Sequence, residues 1–275
     1  MDPLRLEAPA KLNLSLRVIG RRDDGYHELE SDLVLLELAD RLLALPGCSG
    51  LRVEGRDAAD LPLDERNLAW RGLVAGLGAP PDLVCLTVEK RIPAAAGLGG
   101  GSSDAAAAWR LGRILGGRPE RATPDDLRAL ARIGADVPFF AAAVAAATVA
   151  GVGELVREAP ALDTGVVLVH PPFRLATADV FGELRPEEWG TLENDLLAPA
   201  RRLRPALDDL FDAVRRAGGE PRLTGSGPTV FSLDDDPERL RATATRLQAA
   251  GLETTLTRSR VTAAPVEPIH EEESE

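Results

Sequence analysis

Residues 91–117 read RIPAAAGLGGGSSDAAAAWRLGRILGG and join an apolar, strand-like run to an alanine-rich run with helical character. The mostly small side chains of residues 94–101 allow backbone amides to approach and turn toward a bound group. Ser102 and Ser103 follow where the next helix exposes unpaired amides and the positive end of its dipole. We predict that one of these serines caps the helix, with Asp104 in its first turn. The combination is typical of an anion site and suits a polyphosphate.

Two common nucleotide-binding loops do not fit this stretch. A Walker A loop requires a lysine directly before a serine or threonine, and none is present here. The dinucleotide fingerprint requires glycine at its sixth position, which is Ser102 when counted from Gly97. A tubulin-like loop belongs to a different strand order. A flexible linker or a helix–sheet crossover remains the alternative without a ligand, but a linker seldom ends in a well-capped helix.

The composition is normal for a globular protein, and its acidic charge suits a protein that binds small molecules. The chain has 275 residues, 44% of them hydrophobic, and a formal net charge of −12. This acidic balance argues against a nucleic-acid partner, which usually requires a basic surface. The longest mildly apolar run, residues 139–150, is too short to span a membrane, and the N-terminus lacks the pattern of a signal peptide. We therefore expect a cytoplasmic protein without a membrane partner, either a monomer or a homodimer.

Lysine and cysteine are both rare. Of 32 lysines and arginines only Lys11 and Lys90 are lysine, so each is a candidate for a role that needs a compact ammonium group. Cys48 and Cys85 are far apart in the sequence and show no metal-binding spacing. We expect both cysteines to be free, buried thiols.

Hydrophobic periodicity predicts strands and helices without a regular β–α alternation, which indicates an α+β fold. Strands are expected at 12–18, within 27–46, at 51–55, within 82–93, at 165–170 and on both sides of a turn within 221–233. Helices are expected at 68–77, 103–117, 123–134, 205–219 and 236–251. Asn67 and Thr123 are the expected caps of the first and third of these helices. Residues 147–156 fit either a helix or a hairpin that turns at GVG.

The same pass along the chain predicts two lobes with a crossing segment near residues 155–165. The proposed limits are 1–158 for the N-terminal lobe and 159–264 for the C-terminal lobe. Residues 265–275 are highly acidic and are expected to form a disordered tail.

Three further segments carry candidate functional side chains. In APAKLNL, Lys11 and Asn13 lie two positions apart and therefore on one face of a strand. In DDGYHEL, the single tyrosine of the chain, Tyr26, precedes His27, although an ordinary loop pair is equally compatible. In GADVPFF, Asp136 is either a turn former or a carboxylate in a partly dry site. The turn at 225–227 in LTGSGPTVF is either a simple hairpin or a second glycine wall around a ligand.

Together these four segments resemble the GHMP superfamily of small-molecule kinases, and the resemblance extends from Ala8 to about Leu233. It implies a two-lobed α+β fold, with a ribosomal-protein-like N-terminal lobe, an α+β C-terminal lobe and an active site in the cleft between them. It also implies ATP and Mg²⁺ as cofactors, with no metal ligand identified in the protein. The Tyr26–His27 pair resembles the corresponding residues in those members of the superfamily whose substrate carries a cytidine diphosphate group.

The resemblance also implies roles for individual residues. Asp136 matches the catalytic base and Lys11 its partner, whereas Asn13 matches the substrate side. Tyr26 is implied to stack on cytosine, His27 to recognise its polar edge, and Phe181 to close over the base. The loop that is implied to bind the ATP phosphates consists of Pro93, Ala94, Ala95, Ala96, Gly97, Leu98, Gly99, Gly100, Gly101, Ser102 and Ser103.

The sequence departs from the family pattern at two places, and two alternative functions remain open. Ala95 stands where the family often has glycine, which is tolerable if its φ is negative. The run after Phe140 is unusually rich in alanine, and the resemblance favours a strand over 145–149. The alternatives are another GHMP kinase, of the homoserine or mevalonate type, and a nucleotide-binding protein without catalytic activity.

Overall fold

The computed structural model describes residues 2–23, 25–79 and 81–269, and within these residues the strands form two sheets. The larger sheet contains β1 (Leu4–Asn13), β2 (Arg17–Arg21), β3 (His27–Pro46), β4 (Gly50–Gly55), β5 (Val84–Lys90), β6 (Ala146–Gly151), β7 (Leu155–Glu158) and β12 (Glu267–Pro268). The smaller sheet contains β8 (Gly165–His170), β9 (Arg222–Leu223), β10 (Val230–Asp234) and β11 (Glu253–Arg258). The helices are α1 (Leu68–Leu77), α2 (Gly100–Leu115), α3 (Pro124–Leu130), α4 (Val137–Ala141), α5 (Thr177–Glu183), α6 (Leu197–Leu203), α7 (Ala206–Arg216) and α8 (Pro237–Ala249). The predicted α+β class is confirmed.

Strand β3 organises the larger sheet because its 20 residues pair with four other strands. Its first half pairs with β2 and β6, its second half pairs with β5, and β1 runs antiparallel along most of its length. The periodicity left open whether this run forms one strand or two, and the structure shows a single one. The alternative of a hairpin at residues 147–156 is also confirmed, since β6 and β7 are antiparallel neighbours.

Helices α1 and α2 pack closely against each other and against the larger sheet. Two glycines on α1 make this approach possible: a Cβ at Gly72 would lie 2.0 Å from the carbonyl oxygen of Ala105, and one at Gly76 would lie 2.2 Å from that of Trp109. Helix α1 has the predicted bounds, and the side chain of Asn67 accepts a hydrogen bond from the amide of Ala69 at 2.9 Å. The packing of α2 against α1 and the larger sheet thus fixes the position of the N-terminal end of α2.

Helix α3 begins at the predicted cap but ends earlier than predicted. Thr123 and Asp126 form a reciprocal capping box, which satisfies two of the amides at the start of the helix. The helix ends at Leu130, and residues 131–133 form turns that lead to Gly134.

The smaller sheet packs against helices α5–α8 around a second apolar core, in which the strand over 165–170 is buried at every position, as predicted. The two predicted helices become α7 and α8, and β9 and β10 flank the turn at 225–227 as expected. Between β7 and β8 the chain crosses from one sheet to the other over residues 159–164. The boundary at 158 remains a prediction.

Two predictions about the ends of the larger sheet are wrong. The expected strand at 12–18 is interrupted, because β1 ends at Asn13 and β2 begins at Arg17. The expected tail at 265–275 is not wholly disordered, because Glu267 and Pro268 pair with the start of β1. Residues 270–275 lie outside the described residues.

The prediction of two free thiols is also wrong. The structure joins Cys48 to Cys85 in a disulfide with a Cα–Cα distance of 5.2 Å. Cys85 lies on β5, between β3 and β4, and Cys48 lies in the connection between those two strands. Their separation in sequence concealed this proximity because strand pairing determines it.

None of the helices in the described part of the chain is both long and apolar enough to cross a membrane.

Candidate active site

A cleft of about 550 Å³ opens between the two lobes, and most of the predicted site residues line it. Its walls come from β1 and β3, from the glycine loop, from the start of α4 and from two segments of the C-terminal lobe. The residues that line the cleft include Lys11, Asn13, Ser31, Lys90, residues 93–102, Asp104, Asp136, Phe181, Gly225 and Ser226. The structure therefore brings together parts of the chain that are more than two hundred residues apart.

The glycine loop forms one wall of the cleft and leads directly into α2. Gly99, not a serine, occupies the capping position, with a φ of 72° that favours glycine. The prediction that Ser102 or Ser103 caps the helix is wrong, because both lie inside it. The buried hydroxyl of Ser103 has no hydrogen-bond partner among the described residues. Its amide donates to the carbonyl of Gly99 at 2.9 Å, so the loop closes as the first turn of the helix.

Ala95 adopts a strained conformation in this loop. Its φ is 52°, in the left-handed region that disfavours residues with a Cβ. The condition under which alanine was considered tolerable here, a negative φ, is not met. The loop accepts this alanine at an energetic cost.

Lys11 and Asp136 face each other across the cleft. Nζ of Lys11 lies 3.8 Å from Oδ2 of Asp136, and the lysine side chain is almost completely buried whereas the carboxylate is 38% exposed. Burial lowers the pKa of Lys11 because it penalises the charged form, and the negative charge of Asp136 acts in the opposite direction. Asp136 immediately precedes α4 without capping it through its side chain. Asp136 lies in the turn that leads into α4, and its role as a carboxylate in a partly dry site stays a prediction.

Asn13 lies beside Lys11 in the same wall, and both atoms of its amide have partners. Its Oδ1 accepts a hydrogen bond from Nζ of Lys11, and its Nδ2 donates to Oγ of Ser31 at 2.8 Å. Its backbone amide donates to Oγ1 of Thr224 at 3.2 Å, which connects β1 to the C-terminal lobe. Ser31 is a residue of the site that sequence reasoning missed.

The turn at 225–227 is the opposite wall of the cleft, as the second of the two sequence interpretations proposed. A Cβ at Gly225 would lie 3.2 Å from Nζ of Lys11, so this position keeps room for the ammonium group. The buried side chain of Asn194 holds the turn by donating to the carbonyls of Leu223 and Gly225, each at 2.9 Å. The peptide bond between Gly227 and Pro228 is cis.

An aromatic cluster lies at one end of the cleft. His27 stacks on Phe181 with ring centroids 5.3 Å apart and meets Trp189 edge-on at 5.9 Å. Phe181 lines the cleft, whereas His27 supports it from behind. Burial, with a contribution from Arg21, lowers the pKa of His27 and favours the neutral ring. Tyr26 is 68% exposed and is not part of the cleft wall, so the structure does not bring it to the site.

A buried ionic cluster beneath the glycine loop was not predicted. Lys90 contacts the carboxylates of Asp40 and Asp104. Asp40 also accepts hydrogen bonds from the amides of Arg91 and Ile92, whereas Oδ1 of Asp104 has no partner among the described residues. Burial raises the pKa of Asp104 to about 8, against the opposing effect of Lys90. The rarity of lysine was the one signal in the sequence.

Lys90 is the positively charged member of this cluster. Burial disfavours its charge, but the two neighbouring carboxylates outweigh that effect and raise the pKa of Lys90. Because the pKa of Asp104 is about 8, its protonation at neutral pH reduces the charge buried in this cluster.

Comparison with known proteins agrees with this architecture. Two family models match the chain: "GHMP kinases N terminal domain" at residues 67–143 and "GHMP kinases C terminal" at residues 177–252. A 4-diphosphocytidyl-2-C-methyl-D-erythritol kinase from Dinoroseobacter shibae is 39% identical over 272 residues, which cover 89% of this chain and 90% of that protein.

Solved structures extend the comparison to the fold. A crystal structure of 4-(cytidine 5'-diphospho)-2C-methyl-D-erythritol kinase is 36% identical with a TM-score of 0.75, and the match covers 93% of this chain and 98% of the other. A homoserine kinase from Cytophaga hutchinsonii has a TM-score of 0.68 at 18% identity, with 98% of each chain covered, which shows likeness of fold alone.

The fold and the cleft thus define a two-lobed, ATP-dependent small-molecule kinase. The chain belongs to the GHMP kinases, and within them to the family of the 4-diphosphocytidyl-2-C-methyl-D-erythritol kinases. The predicted two-lobed GHMP fold is confirmed.

Proposed function

We propose that this kinase transfers the γ-phosphoryl group of ATP to the 2-hydroxyl of 4-diphosphocytidyl-2-C-methyl-D-erythritol, in the non-mevalonate route to isoprenoid precursors. The observation that carries the proposal is the Lys11–Asp136 pair, which faces the glycine loop inside one cleft. Relatives that share more than a third of the sequence are named for this substrate.

The glycine loop suits the phosphates of ATP. Backbone amides between Gly97 and Ser103, together with the positive end of the α2 dipole, are the groups that bind phosphate without side-chain charge. A Cβ at Gly97 would lie 2.5 Å from the carbonyl oxygen of Thr224, so a larger residue would push the loop away from the opposite wall. In this role the loop would hold the phosphates of ATP on the side of the cleft that faces Lys11 and Asp136, and the nucleotide would supply the phosphoryl group.

Mg²⁺ fits this site as an ion held mainly by the phosphates. Among the described residues no group of three or more His, Cys, Asp or Glu side chains could hold a metal ion. Ser102 lines the cleft, and we assign its hydroxyl as the protein group that approaches Mg²⁺. The next residue, Ser103, is buried. When bound, the ion neutralises negative charge on the phosphates.

Asp136 and Lys11 act on the acceptor hydroxyl. The exposed part of the Asp136 carboxylate is free to take the proton of that hydroxyl. The ammonium of Lys11 stabilises the negative charge that develops on the attacking oxygen. An arginine is longer and forked, and fits this space less well.

The aromatic cluster suits the cytosine end of the substrate. Phe181 offers a ring face for stacking and His27 lies behind it. Tyr26 directly precedes β3 and does not line the cleft, so its stacking on cytosine stays a prediction that requires movement of this residue. Asn13 lines the cleft and has one amide hydrogen left for the substrate.

The experiment is a measurement of ADP release with each of four acceptors: the diphosphocytidyl substrate, homoserine, mevalonate and galactose. We expect turnover with the first alone. Turnover only with homoserine or mevalonate would reassign the chain to another GHMP activity, and ATP binding without turnover would indicate a non-catalytic nucleotide-binding protein.

A further inference from the structure

A buried chain of hydrogen bonds links the ammonium of Lys11 to the backbone of the β1–β2 connection. Nζ of Lys11 donates to Oδ1 of Asn13, Nδ2 of Asn13 donates to Oγ of Ser31 at 2.8 Å, and Oγ of Ser31 donates to the carbonyl of Ser15 at 2.5 Å. Lys11, Asn13 and Ser31 are all more than nine-tenths buried.

The direction of each bond follows from the chemistry of the last link. A carbonyl oxygen only accepts, so the single hydroxyl hydrogen of Ser31 must point to Ser15. Toward Asn13 the Ser31 oxygen can then only accept, which places the NH₂ group of that amide next to it. The carbonyl oxygen of the Asn13 amide therefore faces Lys11, and this assignment follows from the network.

We propose that Ser31 is a positioning residue for the phosphoryl transfer: by accepting from the amide of Asn13 it fixes that amide with its oxygen toward Lys11. The proposal rests on the proposed function and deepens it, because it assigns what keeps Lys11 charged and aimed at Asp136. Ser31 itself acts through Asn13.

The electrostatic consequence concerns the protonation of Lys11. Of the described residues, Asp136 at the start of α4 is the one whose charge acts on the pKa of Lys11. The other groups described close to the ammonium are uncharged: Asn13 on β1 and Gly225 of the opposite turn. Without Ser31 the NH₂ group of Asn13 loses its acceptor, and among the described residues, apart from Lys11 itself, only a long contact of 3.4 Å from Oγ1 of Thr224 still orients the amide oxygen. A less firmly held oxygen stabilises the charged form of Lys11 less.

The test uses the full chain with lysine labelled with ¹³C at Cε. Because only Lys11 and Lys90 are lysine, the NMR spectrum contains two signals, and Lys11→Arg assigns them. In the wild type the Lys11 signal titrates at a lower pH than the Lys90 signal, since burial lowers one pKa and the paired carboxylates raise the other. The Lys90 signal therefore serves as an internal reference.

In Ser31→Ala we expect the titration midpoint of Lys11 to fall by about one pH unit. The kcat should fall about tenfold near neutral pH, while the KM for ATP stays unchanged. Ser31→Thr keeps the hydroxyl and should restore both properties. If Ser31→Ala does not fold, Ser31→Cys keeps the volume with a weaker acceptor and should show the same downward shift.

The control is Ser15→Ala, which removes a hydroxyl that pairs with Asp32 outside this chain of bonds. A Lys11 midpoint that does not move in Ser31→Ala or Ser31→Cys overturns the proposal, as does an equal shift in Ser15→Ala. The titration needs no substrate. Inactivity toward the diphosphocytidyl substrate would therefore contradict the proposed function and leave the assignment of Ser31 to stand or fall by the titration.

Discussion

The ammonium of Lys90 donates to Oδ2 of Asp104 at 2.6 Å and so joins strand β5 to helix α2, on either side of the glycine loop. The same ammonium contacts Asp40, which accepts from the two backbone amides that follow Lys90. Both ends of the loop are thus tied to a single buried cluster. A loop that must hold phosphates with backbone amides gains its fixed shape from this anchor.

The protonation of Asp104 makes the stability of the fold dependent on pH. Its ordinary pKa of 3.8 becomes about 8 in the folded protein, so between these values the folded state holds a proton that the unfolded state releases. Stability contributed by this group is therefore lost as the pH rises through that window. Asp104→Asn mimics the protonated form. Between about pH 6 and pH 9 we expect its free energy of unfolding to fall by about 1 to 2 kcal/mol less than that of the wild type.

Denaturant unfolding at a series of pH values measures this difference. Asp125→Asn is the matched control, because Asp125 is exposed at the start of α3 and undergoes the same chemical change. Parallel pH profiles for wild type and Asp104→Asn would contradict the assignment of the proton to Asp104.

The strain at Ala95 predicts a stabilising substitution. Ala95→Gly removes the Cβ that disfavours a φ of 52°. After the greater entropy loss of glycine is subtracted, we expect the free energy of unfolding to rise by about 0.5–1 kcal/mol. The control is Ala94→Gly, whose φ is not positive and which should lower stability by a similar amount. Equal effects of the two substitutions in thermal unfolding would show that Ala95 is not strained.

The position of the aromatic cluster predicts that substitutions in it change the KM for the diphosphocytidyl substrate and not the KM for ATP. Phe181→Ala removes the ring that stacks on His27 and lines the cleft. The KM for the diphosphocytidyl substrate should therefore rise about five- to hundredfold, which corresponds to about 1–3 kcal/mol of lost stacking. The KM for ATP should not change. We expect Tyr26→Ala to raise the same constant. Steady-state kinetics in which neither substitution affects the substrate KM would locate the cytosine end elsewhere.

The role of Lys11 is tested by Lys11→Met, which keeps most of the side chain but removes the ammonium group and its charge. We expect kcat to fall about a hundredfold or more, because charge on the attacking oxygen is no longer stabilised. Isotope-detected ADP release measures the residual rate. Lys90→Met provides a comparison, since it alters the second lysine of the chain away from the reacting groups. Its main effect should be a loss of stability, because it leaves Asp40 buried without its cation.

Local patterns in the sequence predicted those parts of the molecule that local forces determine. Helix α1 with its Asn67 cap, the buried strand β8 and the glycine loop depend on neighbouring residues, and each is where the pattern indicates. The capping position of α2 was predicted wrongly because serine is the stronger general cap. Gly99 has a φ of 72°, and a Cβ there would lie 3.0 Å from both Cγ of Lys11 and Cζ of Phe140, so tertiary packing as well as the backbone favours glycine at this position.

Features that depend on pairing between distant strands could not be predicted in the same way. The Cys48–Cys85 disulfide requires the arrangement of β3, β4 and β5, and the Ser31–Asn13 contact requires the register of β1 on β3. The positive φ of Ala95 is likewise a property of the assembled loop. Lys90 was singled out only as a rare lysine, because its two partners lie on other elements.

In the proposed mechanism Asp136 takes the proton of the substrate hydroxyl. The turnover of Asp136→Asn with saturating ATP and diphosphocytidyl substrate tests this role. The amide keeps the shape of the side chain but cannot accept the proton as a base. We predict a fall in kcat of about a hundredfold or more, with both KM values near those of the wild type. Turnover close to that of the wild type, in a preparation free of wild-type enzyme, would contradict this account of the site.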